Sequence, residues 1–258
     1  MGHTLLDTVA ASAGDRSRTC ALAVMAKAPR AGKVKTRLSP PLALDQTAAL
    51  NICFLKDTTE TIRRVAGGAG LICYTPVGDE VAFDGVVPED FALIPQRGDG
   101  FGERLHAAAT DILACGYGSV CLIDSDSPTV PPEAFRMAVA ELARPGDRVV
   151  LGPSQDGGYY LIGLKQAHAA PFEQITWSTG SVAAETRARC RQSGLEVVEL
   201  PLWYDVDDAA TLQILRAELL EGRRPEFAEC DGGPAPETRR FLKSLTQAKG
   251  RVDGEASA

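Results

Sequence analysis

The stretch SVCLIDSDSP, residues 119–128, predicts a buried strand that ends abruptly in two carboxylates. Burying a carboxylate costs free energy unless the charge has a partner, so acids at the end of a buried strand need an explanation. Side chains alternate along a strand, which places Asp124 and Asp126 on one side and Ser125 on the other. Two carboxylates on one side suit Mg²⁺ or Mn²⁺, which prefer oxygen ligands. The alternative is an Asp-rich turn without a metal, because Asp, Ser and Pro all favour turns.

Similar apolar runs recur on both sides of this stretch and alternate with longer helical patterns, which is typical of an α/β sheet with helices on its faces. Core-facing helices are predicted in residues 101–113 and 209–219, where apolar residues recur at helical spacing. Two Pro-Pro pairs predict helix starts after Ser39 and after Thr129. The strands are predicted near residues 20–26, 70–75, 91–95, 119–124, 148–152, 158–164 and 195–200.

Length and composition favour one folded domain. The 258 residues suffice for a single α/β domain, and 45% hydrophobic and 24% charged residues exclude disordered, fibrous and repeat proteins. The formal charge of -7 argues against a general nucleic-acid binder, because such proteins need a basic face. No stretch approaches the roughly 20 apolar residues of a membrane span. The seven cysteines form no Cys-x-x-Cys pair, which favours reduced thiols and a cytoplasmic location.

We expect three segments along the chain. Residues 1–18 are interpreted as a flexible leader and residues 19–222 as the α/β domain. Residues 223–258 are interpreted as an extension with one short helix and a polar tail, because they begin with a stretch rich in Gly, Pro and charge.

A cluster of positive charge directly follows the first predicted strand. Residues 25–38 read MAKAPRAGKVKTRL and contain no acidic residue, in a chain that is acidic overall. A loop at the carboxyl end of a first strand lies at the mouth of an open α/β sheet, where Lys and Arg can neutralise a di- or triphosphate. This predicts a phosphate-binding loop, with a solvated charge run as the alternative. The basic residues are Lys27, Arg30, Lys33, Lys35 and Arg37.

A second acidic stretch, LWYDVDD at residues 202–208, also ends an apolar run and leads into a helical pattern. Alternation places Asp205 and Asp207 on one face, where they would complete the coordination of a metal from the far side of a cleft. Asp208 is interpreted as a helix cap. The alternative is that a cap and a turn account for this whole stretch.

Two further loops contain paired or closely spaced glycines. GPSQDGGYYLIG, residues 152–163, joins two apolar runs, and its glycines allow positive φ and a close backbone approach to a ligand. We expect Asp156 to face a substrate, although a hairpin turn also accounts for the pattern. QRGDGFGER, residues 96–104, places three glycines between a strand and a helix and resembles a phosphate loop. Residues 177–179, Trp-Ser-Thr, are expected to open another helix.

Taken in this order, these segments resemble a bacterial family within the GT-A superfamily of nucleotide-diphospho-sugar transferases, earlier catalogued as a domain of unknown function. The resemblance extends from about residue 21 to residue 220. It implies a single three-layer α/β/α GT-A domain, Rossmann-like, with a mostly parallel mixed sheet. The superfamily also contains phospholactate guanylyltransferase and the molybdenum-cofactor nucleotidyltransferases, whose first loops are similar. The motifs that carry the resemblance are residues 27–29, 33–38, 96, 98, 102–104, 124–128, 156–160, 177–179 and 205–207.

The resemblance implies a metal-dependent transferase that uses a nucleotide or nucleotide-sugar and a small acceptor, with Mg²⁺ or Mn²⁺ as its cofactor. Asp156 is predicted as the base, and Lys33 as a second catalytic residue. The predicted metal ligands are Asp124, Asp126, Asp205 and Asp207, with Asp126 preferred within the first pair. The predicted nucleotide- and phosphate-binding residues are Lys27, Arg30, Lys33, Lys35, Arg37, Gln96, Gly98 and Arg104.

The sequence leaves the reaction open. Glycosyl transfer from a nucleotide-sugar is the leading hypothesis. Nucleotidyl transfer from a nucleoside triphosphate to a phosphorylated acceptor is the runner-up, because the basic loop suits three phosphates better than two. An apolar strand that ends in Asp-x-Asp also resembles the phosphatase motif of the haloacid dehalogenases, but here Pro128 follows two positions after the second Asp. A module that binds a nucleotide without processing it is the fourth hypothesis.

Overall fold

The computed structural model of the chain describes residues 2–6 and 15–255, with side chains as far as residue 247. Seven strands and six α-helices follow one another within these ranges. The strands are β1 (Cys20–Lys27), β2 (Gly68–Thr75), β3 (Ala92–Pro95), β4 (Ser119–Ile123), β5 (Arg148–Pro153), β6 (Tyr159–Leu164) and β7 (Glu196–Glu199). The helices are α1 (Leu44–Arg63), α2 (Phe101–Ala114), α3 (Pro132–Ala143), α4 (Val182–Gln192), α5 (Ala209–Glu221) and α6 (Pro236–Glu255).

The strands of the described ranges form one sheet in the order β3-β2-β1-β4-β6-β5-β7. β6 is antiparallel to its neighbours β4 and β5, whereas the other pairings are parallel. The predicted mostly parallel mixed sheet is therefore confirmed. From β1 the chain continues to β2 and β3 on one side and to β4 on the other. The loops that follow β1 and β4 consequently lie side by side, at the switch point where open α/β sheets bind ligands.

Both faces of the sheet are buried, which explains why its strands read as continuous apolar runs. In β1, Leu22 and Val24 pack with one buried cluster, and Ala21 and Ala23 pack with the other. The first cluster receives side chains from α1, α3, α5 and α6, and the second receives side chains from α2 and α4. The fold thus has three layers, α/β/α, as predicted.

Two local predictions about helices need correction. The helix predicted after Ser39 begins only at Leu44, because residues 39–42 form turns and the Ala43 N–H is capped by the Gln46 side chain. Phe101 is the first residue of the helix predicted at 101–113, and its predicted position in the core is wrong. Its side chain lies at the N-terminal end of α2 and is 52% exposed. The helix predicted after Thr129 begins at Pro132, as expected.

The ends of the chain contribute to the fold more than the sequence suggested. Leu5 forms a parallel bridge with Leu93, so residues 4–6 extend the sheet beside β3. Residues 7–14 of the predicted leader lie outside the described residues. In place of one short helix, the C-terminal segment forms the 20-residue α6, which packs on α1 and buries Leu242 completely.

None of the helices in the described part of the chain combines the length and the apolar character that crossing a bilayer requires. Six cysteines of the described ranges are free thiols: Cys20, Cys53, Cys73, Cys121, Cys190 and Cys230.

The attachment of α6 depends on one carboxylate of α1. Asp57 is 3% exposed and accepts hydrogen bonds from the backbone N–H groups of Glu237 and Thr238, at 3.0 and 2.8 Å. Asp57→Ala should lower the free energy of unfolding by about 1–2 kcal/mol, because these N–H groups at a helix N-terminus lose their acceptor. Urea denaturation measures this change. Glu60→Ala is the matched control, since Glu60 forms only surface pairs, with Arg63 and Arg64, and its loss should cost under about 0.5 kcal/mol. Equal losses in the two variants would contradict the capping role.

Candidate active site

Four loops meet at the edge of the sheet where the parallel strands end: the basic loop after β1, the loops after β4 and β7, and the turn between β5 and β6. The backbone N–H of Val206 donates to the carbonyl of Asp126 at 2.9 Å, which joins the β4 and β7 loops. The N–H of Gln155 donates to the carbonyl of Trp203, also at 2.9 Å, which joins the β5–β6 turn to the same loop. The acidic stretches that are far apart in sequence are therefore neighbours in space.

Lys35 of the basic loop lies at the centre of this arrangement. Its ammonium donates to Oδ1 of Asp126, to Oδ1 of Asp207 and to the carbonyl of Val206, each at 2.8 Å. The side chain is only 4% exposed, and the backbone adopts the left-handed conformation with φ of 51°. Burial alone would lower the pKa of Lys35, but the charges of Asp126 and Asp207 outweigh it and raise the pKa above its usual value. The two carboxylates thus face each other across one positive charge.

The other two predicted metal ligands are held by hydroxyl groups. Ser127 donates to Oδ2 of Asp124 at 2.7 Å, and Ser154 donates to Oδ1 of Asp205 at 2.9 Å. Burial raises the pKa of both carboxyls, that of Asp124 well above its usual range, and neighbouring carboxylates add to the effect. Asp124 and Asp205 therefore line the site as partly buried acids with hydroxyl partners.

The donor chemistry of the site fits a hard divalent cation. Mg²⁺ is usually bound by one or two carboxylates, with substrate phosphates and water completing its shell. Asp126 and Asp207 already converge on one cationic position, which the ammonium of Lys35 occupies. Within the described residues, no three acidic, His or Cys side chains are grouped as a preformed metal cage. All four predicted ligands, Asp124, Asp126, Asp205 and Asp207, line one cavity, and Asp126 and Asp207 are the pair that shares one cationic partner.

Two cavities adjoin at this position. We call the smaller one, of about 240 Å³, the basic hollow, and the larger one, of about 540 Å³, the large cleft. Both are lined by Arg37, Ser125, Asp126 and Asp207, so these residues form the boundary between the two spaces. The basic hollow is further lined by Lys27, Lys33, Val34, Lys35, Thr36 and Asn51. The large cleft is further lined by three more acids and an aromatic wall: Asp124, Asp156, Asp205, Phe101, Tyr159 and Trp177.

The structure brings together four of the five basic residues of the loop after β1, and separates the fifth. Arg30 points away from the hollow and pairs with Asp79, with nitrogen–oxygen distances of 3.0 and 2.5 Å. Arg37 is 79% exposed and lies 3.9 Å from Asp207. The residues that line the basic hollow are Lys27, Lys33, Lys35 and Arg37.

The remaining predicted nucleotide-binding residues, Gln96, Gly98 and Arg104, shape the loop before α2 and line neither cavity. Gln96 donates to the carbonyl of Cys73, and Arg104 donates to the carbonyls of Gly98 and Asp99. Gly98 has φ of 111°, and a Cβ there would lie 2.9 Å from the side chain of Glu103. These contacts account for a tight turn without a ligand.

The Asp-Gly-Gly turn between β5 and β6 places Asp156 at the large cleft, where it is exposed. Its Oδ1 accepts a hydrogen bond from the N–H of Gly158 at 2.8 Å, which fixes the carboxylate at the tip of the turn. Gly157 has φ of 89°, and a Cβ there would lie 2.0 Å from the carbonyl oxygen of Gly180. The close backbone approach predicted from the glycines is therefore made to the loop before α4.

Sequence reasoning overlooked two features of the site. Asn51 of α1 is 3% exposed, lines the basic hollow, and leaves its Oδ1 without a hydrogen-bond partner. Phe101 packs edge to face on Trp177, with ring centroids 5.1 Å apart, and both rings line the large cleft. The available signals were a polar residue within the apolar run AALNICFL of α1 and an aromatic residue directly after a Gly-rich loop.

A family described as "Uncharacterized protein conserved in bacteria (DUF2064)" matches residues 58–179 of the chain. The matched segment contains Asp124, Asp126 and Asp156, and it begins after the basic loop and ends before Asp207. No curated protein matches the chain significantly.

Solved structures resemble the fold over most of its length. A Desulfovibrio desulfuricans G20 protein, provisionally described as a nucleotide-diphospho-sugar transferase, is 29% identical with a TM-score of 0.74, covering 88% of this chain and 95% of its own. A CMP-2-keto-3-deoxy-manno-octonic acid synthetase complexed with CTP is 14% identical with a TM-score of 0.51, covering 80% and 100%. A cytidylyltransferase of Leptospira borgpetersenii serovar Hardjo-bovis is 9% identical with a TM-score of 0.50, covering 90% and 95%.

The latter two proteins share the fold alone, whereas the Desulfovibrio protein also shares appreciable sequence. The resemblance predicted from the sequence is therefore confirmed: residues 58–179 match the DUF2064 family, and the fold is similar to that of a protein provisionally described as a nucleotide-diphospho-sugar transferase.

Proposed function

We propose that the chain transfers a sugar from a nucleotide-sugar to a small acceptor, with Mg²⁺ or Mn²⁺ held by Asp126 and Asp207. One observation carries the proposal: these two carboxylates converge on a single cationic position where the basic hollow meets the large cleft. The diphosphate of the donor would lie in the basic hollow, and the acceptor in the large cleft.

The residues that line the two cavities would have different roles in this reaction. Lys27, Lys33 and Arg37 supply fixed positive charge to the donor phosphates, and a bound cation would further stabilise the charge that develops on the leaving nucleoside diphosphate. Asp156 faces the same cleft from the opposite loop and would accept the proton of the attacking hydroxyl. The new bond forms between the acceptor oxygen and the anomeric carbon, while the bond from that carbon to the diphosphate breaks with its electron pair on the leaving group.

Nucleotidyl transfer is the second candidate, and the composition of the basic hollow favours it. Four cationic side chains around about 240 Å³ suit a triphosphate at least as well as a diphosphate. In that reaction a substrate phosphate would attack the α-phosphorus and pyrophosphate would leave.

Product analysis separates the two candidates. Purified protein is incubated with Mn²⁺ and either a set of nucleotide-sugars or the four nucleoside triphosphates with a set of sugar phosphates. Release of nucleoside diphosphate from a sugar donor supports glycosyl transfer. Release of pyrophosphate that depends on a sugar phosphate would instead support nucleotidyl transfer and contradict glycosyl transfer. If neither nucleoside diphosphate nor pyrophosphate were released with either set of substrates, both proposed reactions would be contradicted.

The basic loop offers a matched pair of substitutions. Lys33→Gln should weaken the binding of a nucleoside diphosphate with Mn²⁺ by about tenfold, because one charge-assisted contact worth about 1–2 kcal/mol is lost from the basic hollow. Arg30→Gln should change the affinity less than twofold, because Arg30 pairs with Asp79 outside the hollow. Calorimetric titration measures both. A stronger effect at Arg30 than at Lys33 would mean that the phosphates lie elsewhere.

A further inference from the structure

The large cleft differs in charge from the basic hollow beside it. Five aspartates line it, whereas Arg37, on the boundary with the basic hollow, is the one cationic side chain among its described lining residues. Asp126 and Asp207 are paired with Lys35, so a phosphate group bound in this cleft would lie against Asp124, Asp156 and Asp205, and like charges at short range repel strongly in a partly buried site.

Helix N-termini are the other common source of phosphate binding, because their free N–H groups attract anions. Two helices begin at the large cleft, and each has a carboxylate in its own first turn. Glu103 accepts from the N–H groups of Asp99 and Gly100 at the start of α2. At α4, Glu185 accepts from the N–H of Thr176 and from the hydroxyl of Ser181. A phosphate that approached either helix N-terminus would therefore meet the negative charge of Glu103 or Glu185.

The opposite wall of the cleft is aromatic. Phe101 is 52% exposed and packs edge to face on Trp177, which in turn packs on Tyr159 with ring centroids 6.4 Å apart. A Cβ at Gly102 would lie 2.7 Å from Nε1 of Trp177, so glycine at this position lets the indole lie directly against α2. The result is a fixed aromatic surface open to the cleft, which suits a partner with a ring or apolar face.

We propose that the acceptor is an uncharged, hydroxyl-bearing molecule with a ring face, such as a glycoside, that packs on Phe101 and Trp177, and that phosphorylated acceptors are excluded by the surrounding aspartates. This inference rests on the function proposed above and specifies its second substrate. The hydroxyl that reacts lies on the side of the ring that faces Asp156, which takes up its proton when the oxygen bonds to the anomeric carbon.

Trp177 provides a direct readout, because the only other tryptophan, Trp203, is completely buried. Acrylamide quenching of the full chain therefore reports access to the large cleft, and Trp177→Phe measures the background. The probes are phenyl β-D-glucoside, β-D-galactoside and β-D-mannoside, each compared with its 6-phosphate. We expect at least one uncharged glycoside to lower the quenching constant about twofold at millimolar concentration, and its 6-phosphate to bind at least tenfold more weakly.

A substitution that removes one negative charge tests why the cleft would bind a glycoside more tightly than its 6-phosphate. Asp156→Asn should narrow the affinity ratio between glycoside and 6-phosphate at least threefold, because one repelling carboxylate is removed. Equal or tighter binding of the phosphates to the unaltered protein, or no protection by any of the three glycosides, overturns the inference.

Binding of the donor nucleotide is measured separately. The measurement is the shift in melting temperature of the Trp177→Phe variant when nucleoside diphosphates and Mn²⁺ are added. A thermal shift together with preferential binding of the 6-phosphates would overturn the uncharged acceptor and leave the transferase proposal standing. Glycoside protection without any nucleotide shift would overturn the transferase proposal, and with it the role of the glycoside as acceptor.

Discussion

Asp126→Asn and Asp207→Asn should each lower the rate of product formation by about 100-fold or more. Each substitution removes one of the two carboxylates that face a common cation, and loss of a residue that stabilises transition-state charge through such a cation typically costs several kcal/mol. Asp205→Asn should have a smaller effect, because Asp205 is engaged by the hydroxyl of Ser154. Steady-state rates with the donor identified by product analysis give the comparison.

Binding measurements decide whether such losses arise from the cation. Manganese titration followed by electron paramagnetic resonance should show weaker Mn²⁺ binding in both variants, by about tenfold. Asp90→Asn is the control, since Asp90 only pairs with Arg63 on the surface. If Asp126→Asn and Asp207→Asn bound Mn²⁺ with unchanged affinity, the loss of rate would have another cause and the two-carboxylate site would be wrong.

The position of the acidic stretches could be predicted because it follows from strand ends. SVCLI reads as a strand buried on both faces, and the aspartates that follow it must lie at the carboxyl edge of the sheet. The same argument places the basic loop after β1 and the Asp-Val-Asp stretch after β7 at this edge. Topology then makes them neighbours, since parallel strands share one direction.

The pairing of side chains inside the site could not be predicted from the amino-acid sequence. Lys33 and Lys35 are two residues apart in one basic run, yet Lys35 is buried between carboxylates while Lys33 is exposed. The difference depends on the left-handed backbone at Lys35 and on loops distant in sequence, neither of which follows from spacing. Arg30 is likewise separated from its neighbours by Asp79, which belongs to the segment after β2.

The aromatic wall was missed for a different reason. Phe101 fits the apolar spacing of α2, and periodicity alone assigns every such position to the core. The first turn of α2 extends beyond the sheet, so its apolar residue is left facing the cleft, and Trp177 reaches it from a loop 76 positions later in the chain. Asn51 shows the converse, because a polar residue on the buried side of α1 was not recognised as part of a cavity wall.

Lys35→Met should lower the free energy of unfolding in the absence of divalent cations. Added divalent cations should restore part of that free energy. Methionine keeps an unbranched stem but removes the charge that lies over the ring of Phe54 and separates Asp126 from Asp207. The two carboxylates are 33% and 43% exposed, so solvent relieves part of their repulsion. We therefore expect a loss of about 1–3 kcal/mol, below the 3–5 kcal/mol typical of a fully buried pair that loses one partner. Thermal and urea denaturation with and without Mg²⁺ measure it, with Lys243→Ala on the exposed face of α6 as control.

The same variant should bind Mn²⁺ more tightly than the unaltered protein while forming product more slowly. In the unaltered protein a cation must displace the ammonium from both carboxylates, and the free energy of that displacement lowers its apparent affinity. Removal of the charge abolishes the competition, so we expect about a tenfold gain in Mn²⁺ affinity. Product formation should fall at least tenfold, because the displaced ammonium no longer adds positive charge to the basic hollow. Weaker Mn²⁺ binding in Lys35→Met would show that lysine and metal do not compete, and that the two carboxylates serve the ammonium alone.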